Sequence, residues 1–127
     1  MIVDTSAILA VLFRESEHER LIDKLLRADN NGVGAPTLVE VSLVLTGRLG
    51  PSQGMVDRFV QEFGVTVIPF GEAHWRTAAD AFVRFGKGRH PAALNLGDCQ
   101  SYAVAKLAQQ PLLFVGNDFT QTDLIAA

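Results

Sequence analysis

Apolar residues fall along this chain in short unbroken runs, separated by longer stretches with helical spacing. Ile2–Val3 reads as a clipped N-terminal strand. Thr5 and Ser6 suit the cap of a following helix with Ile8, Val11 and Leu12 on one face. Ser16 with Glu19 makes a capping-box pattern before a second helix, striped by Leu21, Ile22, Leu25 and Leu26. Asn30-Asn31-Gly32 then breaks the pattern ahead of a short strand, Val33–Ala35. Pro36 suits the first turn of a third helix with Leu38, Val41 and Leu45 inward, and Gly50-Pro51 ends it. Val56, Phe59, Val60 and Phe63 give the clearest amphipathic spacing and a fourth helix, which Gly64 stops. The β-branched run Val65–Ile68 predicts a strand. After Pro69 and Gly71 a fifth helix places Trp75, Ala78, Ala79 and Phe82 on one side, which predicts core packing. Arg84–Pro91 reads as a loop, Leu96 to Gln109 as a sixth helix, and Leu112–Val115 as a last strand.

Strands that alternate with helices and are apolar throughout predict a parallel sheet covered on both faces, an α/β fold. With 127 residues and no repeat or long linker, residues 1–127 read as a single domain. The 48% apolar share excludes a disordered chain. The longest stretch without Asp, Glu, Lys or Arg, Leu107 to Asn117, contains Pro and two Gln and makes no membrane span. The start of the chain has no basic region before its apolar run, so a signal peptide is not expected. One cysteine, Cys99, cannot form an internal disulfide and reads as a core residue; a cytoplasmic setting is expected. The net charge of −3 supplies no general attraction for nucleic acid, so a bound polyanion needs local basic residues or metal.

In open parallel sheets, ligands bind beyond the C-terminal ends of the strands. Asp4 ends the first strand and Asp118 follows the last. Glu40 lies early in the helix leaving the second strand, and Asp98 opens the sixth helix. If the first and last strands are neighbours, Asp4 and Asp118 share one crevice. Each acid also has a structural reading. Thr37-x-x-Glu40 is a capping-box pattern, Asp98 suits the helix dipole after an Asn95 cap, Asp118 suits a turn, and Asp4 suits a cap. Their joint placement on one edge is the functional signal. Crowded carboxylates take up protons or a cation, and oxygen donors without His or Cys select Mg²⁺ or Mn²⁺. Such a site suits phosphodiester hydrolysis.

Four strings sharpen this reading: M-I-V-D-T-S-A-I-L at the N-terminus, P-T-L-V-E-V at 36–41, L-N-L-G-D-C-Q-S-Y-A-V-A-K at 94–106 and L-L-F-V-G-N-D-F-T-Q-T-D at 112–123. Together, in this order and over the whole chain, they resemble the PIN-domain ribonucleases, and more narrowly the VapC toxins of bacterial toxin–antitoxin pairs. The resemblance implies a three-layer α/β/α sandwich with a short parallel sheet. It also implies a Mg²⁺- or Mn²⁺-dependent endoribonuclease that leaves 5′-phosphate and 3′-hydroxyl ends. It puts metal-binding acids at Asp4, Glu40, Asp98 and Asp118, with Asp4 and Asp98 the main ligands and Glu40 orienting the attacking water. Where many relatives carry an acid after the glycine this chain has Asn117, so Asn117 and Asp118 compete for the fourth position. Asp123 is a further candidate, with a helix-cap reading beside it. Ser6 is a candidate to hold an acid or a phosphate, with a cap reading beside it. The implied partners are a VapB-type antitoxin, an RNA substrate and a second copy of the chain in a homodimer.

Arg84, Lys87, Arg89 and His90 form the densest basic group, on a loop that either tracks phosphates or is simply solvated. The three histidines lack metal-ligand spacing, and there is no G-x-S-x-G elbow, Walker loop or G-x-G-x-x-G. A response-regulator receiver needs an acidic pair after its first strand and an acid after its third, where Pro69-Phe70 stands. A haloacid-dehalogenase phosphatase needs an acid where Ser6 stands. The remaining alternative is a non-catalytic PIN-like scaffold that binds a protein partner.

Overall fold

The computed structural model describes residues 1–127. In chain order the elements are β1 (Ile2–Val3), α1 (Thr5–Leu12), α2 (His18–Arg27), β2 (Asn31–Gly34), α3 (Ala35–Leu49) and α4 (Gln53–Glu62). They continue with β3 (Val65–Ile68), α5 (Glu72–Phe85), α6 (Leu96–Ala108) and β4 (Leu112–Leu113). The strands form one sheet in the order β3-β2-β1-β4, with every pairing parallel. One apolar cluster joins α1, α2, α3 and α4 to one face through residues such as Ile8, Leu21, Leu45 and Phe59. A second packs α5, α6 and the segment after β4 on the other face through Phe85, Tyr102, Val104 and Phe119. This is the three-layer α/β/α arrangement expected.

β2 begins earlier than predicted, because Asn31 and Gly32 serve packing rather than a turn. The buried Asn31 side chain donates to the carbonyls of Leu25 at 2.9 Å and Phe63 at 3.1 Å. A Cβ at Gly32 would come within 2.9 Å of Ile68 Cδ1 and 3.0 Å of Ile2 Cδ1, so glycine leaves these two side chains room to meet. β4 is shorter than predicted: the Val115 N–H leaves the ladder to donate to Ser6 Oγ at 3.0 Å.

Two predicted caps are replaced. Asp4, not Thr5 or Ser6, caps α1, accepting the Ser6 N–H at 3.0 Å. α2 starts at His18 with Glu17 at its cap and no side-chain cap bond, so the Ser16/Glu19 box does not form. The predicted inward stripe of α5 is also rotated. Ala78, Ala81 and Phe85 are buried, whereas Trp75 is 52% exposed and Phe82 lies at the surface beside it. The face of Ala78, Ala81 and Phe85 fits against α6, and Trp75 and Phe82 are left outside. Cys99 is buried, as expected. No helix is long and apolar enough to cross a membrane.

Candidate active site

Because β1 is flanked by β2 and β4, its C-terminal end lies at the centre of the sheet edge where chain segments converge. Asp4 follows β1 directly and is buried, with its N–H held by the Leu113 carbonyl at 2.9 Å. Ser6 reaches back one helical step. Its hydroxyl donates to Asp4 Oδ2 at 2.6 Å and accepts the Val115 N–H at 3.0 Å. One serine thus ties the first acid to the end of the last strand. It fits the role of holding an acid and does not cap the helix.

Glu40 comes from α3, which follows β2 without a loop, its cap being Gly34. The predicted Thr37-x-x-Glu40 box is absent, so Glu40 is not occupied with backbone donors. Its carboxylate lies against Gly97 in the first turn of α6, where a Cβ would overlap it. Asp98 stands next to that glycine. Asn95 caps α6, accepting the Asp98 N–H at 2.9 Å, while Asp98 Oδ2 accepts the Asn95 N–H at 3.1 Å. The cap reading of Asp98 is therefore correct, and it leaves the other carboxylate oxygen uncommitted.

Burial pushes the Asp98 carboxyl up to about 6; the bond from the Asn95 N–H opposes this, and the charges of Asp4, Asp118 and Glu40 reinforce it. Acids from three other segments therefore bear on Asp98. Asp118 sits exposed in the turn after β4, while Asn117 lines a different hollow with Glu17 and Arg20. The Asn117 carbonyl accepts the Thr120 N–H and hydroxyl.

Asp123 is not brought to this group. It accepts from the Tyr102 hydroxyl and from Lys106 Nζ, each at 2.7 Å, and sits 3.6 Å from Arg84. Burial raises its pKa, but the bonds from Lys106 and Tyr102 and the charges of Lys106 and Arg84 outweigh that and hold it low. Burial, then Asp123, pushes Tyr102 up to about 12. Asp123 therefore fastens the last turn to α6. Arg84 is committed to the same cluster and to the face of Phe85, 4.7 Å away. Lys87 and Arg89 remain exposed and form no salt bridge, on a loop closed by the Gly86–Leu94 bridge.

No three His, Cys, Asp or Glu side chains stand close enough to form a ligand cluster by themselves. The donor set nonetheless fits a hard divalent cation. All four groups are oxygen acids, and one Asp98 carboxylate oxygen has no hydrogen-bond partner. Mg²⁺ in particular keeps much of its water and needs only one or two direct carboxylates. Gly97 is the residue that sequence reasoning missed; a glycine inside a helical pattern was the available signal.

Beside Glu40 an apolar trough opens. Two adjoining hollows of about 700 and 390 Å³ share Phe70, Leu96 and Gln100; Val39 and Leu43 line one, Trp75 and Phe82 the other.

The family model for the PIN domain matches residues 1–124. Ribonuclease VapC36 of Mycobacterium tuberculosis is 48% identical over 126 residues, covering 98% of this chain and 91% of the relative. Among solved structures, M. tuberculosis VapC20, a sarcin-ricin loop cleaving toxin, aligns with a TM-score of 0.77 at 19% identity, over 99% of this chain and 97% of that one. VapBC2 from Rickettsia felis, bound to a DNA fragment from its promoter, gives 0.78 at 12% identity, over 99% and 96%. With the family model matched over nearly the whole chain and relatives close to half identical, the chain belongs to the PIN-domain family and, within it, to the VapC ribonucleases.

Proposed function

We propose that this chain is the toxin of a toxin–antitoxin pair and hydrolyses RNA phosphodiesters with Mg²⁺ or Mn²⁺. Asp4 and Asp98 would hold the cation, with Glu40 and Asp118 beside them. The bound ion supplies Lewis acidity and lowers the pKa of water. Glu40, seated on Gly97, orients the attacking water. Oxygen from water ends on phosphorus and the bond to O3′ breaks, which gives a 5′-phosphate and a 3′-hydroxyl. Ser6 keeps Asp4 fixed to β4, and Lys87 and Arg89 draw the RNA backbone toward the acids. The observation that supports the reading is the convergence of Asp4, Glu40 and Asp118 on Asp98, whose carboxyl is raised by burial and further by their charges.

The same reading gives the trough to the antitoxin. A segment with an apolar face fits Val39, Leu43, Leu96, Trp75 and Phe82, and a basic side chain at its end meets Glu40. The M. tuberculosis relative is a ribonuclease, and the Rickettsia felis structure is a VapBC pair. A cytoplasmic homodimer belongs to the same proposal and is read by light scattering.

The test is cleavage of total RNA by purified, antitoxin-free protein with Mg²⁺ or Mn²⁺, with EDTA and Asp98→Asn as controls and mapping of the new ends. Discrete cuts with 5′-phosphates, lost in both controls, are expected. Cutting that survives both controls refutes the carboxylate chemistry. Folded protein that binds its antitoxin yet cuts no RNA favours the scaffold reading.

A further inference from the structure

α3, counted from its Gly34 cap, and α6 meet along a seam where residues pair in opposite order: Gly34 with Val104, Thr37 with Ser101, and Glu40 with Gly97. At the lower end a Cβ on Gly34 would come within 2.8 Å of Val104 Cγ2. At the upper end the Glu40 carboxylate occupies the place of a Gly97 side chain. Between them the Thr37 and Ser101 hydroxyls stand 3.3 Å apart, with the two residues 3% and 1% exposed. This is the one side-chain hydrogen bond between the two helices.

Hydroxyls inside helices commonly bond back to the carbonyl four residues earlier. Ser42 and Thr46 in α3 do so, to Leu38 at 2.7 Å and Ser42 at 2.8 Å. Thr37 and Ser101 do not; each has the other as its hydrogen-bond partner. Thr37 precedes Glu40 by three positions and Ser101 follows Asp98 by three, so each lies one turn beneath an acid on its own helix.

An apolar contact at that point tolerates sliding, whereas parting two buried hydroxyls that have no other partner leaves both unsatisfied. Resting on the metal-nuclease reading above, we propose that the Thr37–Ser101 pair sets the register of α3 on α6. It thereby fixes how closely Glu40 approaches Asp98, and both are positioning residues for the cation site.

Thr37→Val keeps the shape and removes the hydroxyl, Thr37→Ser keeps the hydroxyl, and Ser101→Ala removes its partner. Free Mn²⁺ is followed by electron paramagnetic resonance, folding by thermal melting, and RNA cleavage alongside. T37V and S101A are expected to weaken Mn²⁺ binding about 10-fold, as loss of a supporting contact does elsewhere, with T37S within about two-fold of the parent. The double variant T37V/S101A leaves no orphaned hydroxyl. It is expected to be no weaker than the single variants, because the pair acts as one unit. It also decides the matter if a single variant fails to fold.

Parent-like Mn²⁺ affinity in folded T37V or in the double variant, or T37S as weak as T37V, overturns the proposal. Parent protein that binds Mn²⁺ and loses it in D98N, while T37V is unchanged, overturns the positioning role alone. Parent protein that binds no Mn²⁺ overturns the nuclease reading, and this one with it.

Discussion

At neutral pH the Asp98 carboxylate carries a folding penalty, because burial, reinforced by Asp4, Asp118 and Glu40, lifts its pKa from 3.8 to about 6. A rise of that size corresponds to about 3 kcal/mol at most. The side chain is only half-buried, and solvent screening reduces the figure to roughly 1–1.5 kcal/mol. In Asp98→Asn the amide oxygen still accepts the Asn95 N–H, but the charge in the first turn of α6 is lost, a cost of about 0.3–1 kcal/mol. The variant is therefore expected to be more stable by up to about 1 kcal/mol, a rise in Tm of up to roughly 5 °C for a chain of this size. The gain is full above pH 6, where the folded-state carboxyl is ionised. It shrinks as pH falls from about 6 to 3.8 and vanishes below that, where folded and unfolded states are both protonated. Thermal melts of parent and variant in EDTA across this range measure it. Added Mn²⁺ should then invert the order, since a ligand at 100 times its Kd stabilises the parent by about 2.7 kcal/mol. A variant that melts below the parent at pH 7.5 in EDTA, or a gap that widens on acidification, refutes the reasoning.

Gly97→Ala gains about 1 kcal/mol of helix propensity yet drives a methyl into Glu40. RNA cleavage should fall about 100-fold with Tm hardly changed, and full cleavage would contradict the seat of Glu40. Ser6→Ala removes the ties to Asp4 and Val115; chemical denaturation should show a loss of about 1–3 kcal/mol, with cleavage reduced as well. Lys87→Ala with Arg89→Ala should raise KM for RNA, leave kcat unchanged and flatten the salt dependence by roughly 0.7 per charge. Trp75→Ala and Phe82→Ala should shift folding stability by less than about 1 kcal/mol, being surface residues. Each should weaken antitoxin binding by about 2 kcal/mol in a titration if the trough is its seat.

Much of the fold was legible from hydrophobic periodicity, because strands covered on both faces must be apolar throughout and helices must carry a stripe. Local chemistry misled where tertiary packing overrode it. Asn31 and Gly32 have turn-forming character, yet one satisfies two carbonyls from distant segments and the other admits Ile2 and Ile68. On α5 the spacing of Trp75, Ala78, Ala79 and Phe82 identifies an apolar side, but spacing cannot say that Ala78, Ala81 and Phe85 are the residues that meet α6. The resemblance offers Asp123 and the basic run offers Arg84 as site candidates, and the fold places both in a cluster with Lys106 and Tyr102.

By itself the sequence determined the alternation of strands and helices, the parallel sheet, and the placement of acids at strand ends and helix starts. These follow from local periodicity and from the direction in which strands must run. Only the tertiary structure decided that β1 lies beside β4, that Glu40 is seated on Gly97, and that burial and three neighbouring acids raise Asp98. Those facts depend on distances between residues remote in sequence, which packing sets and no local pattern encodes.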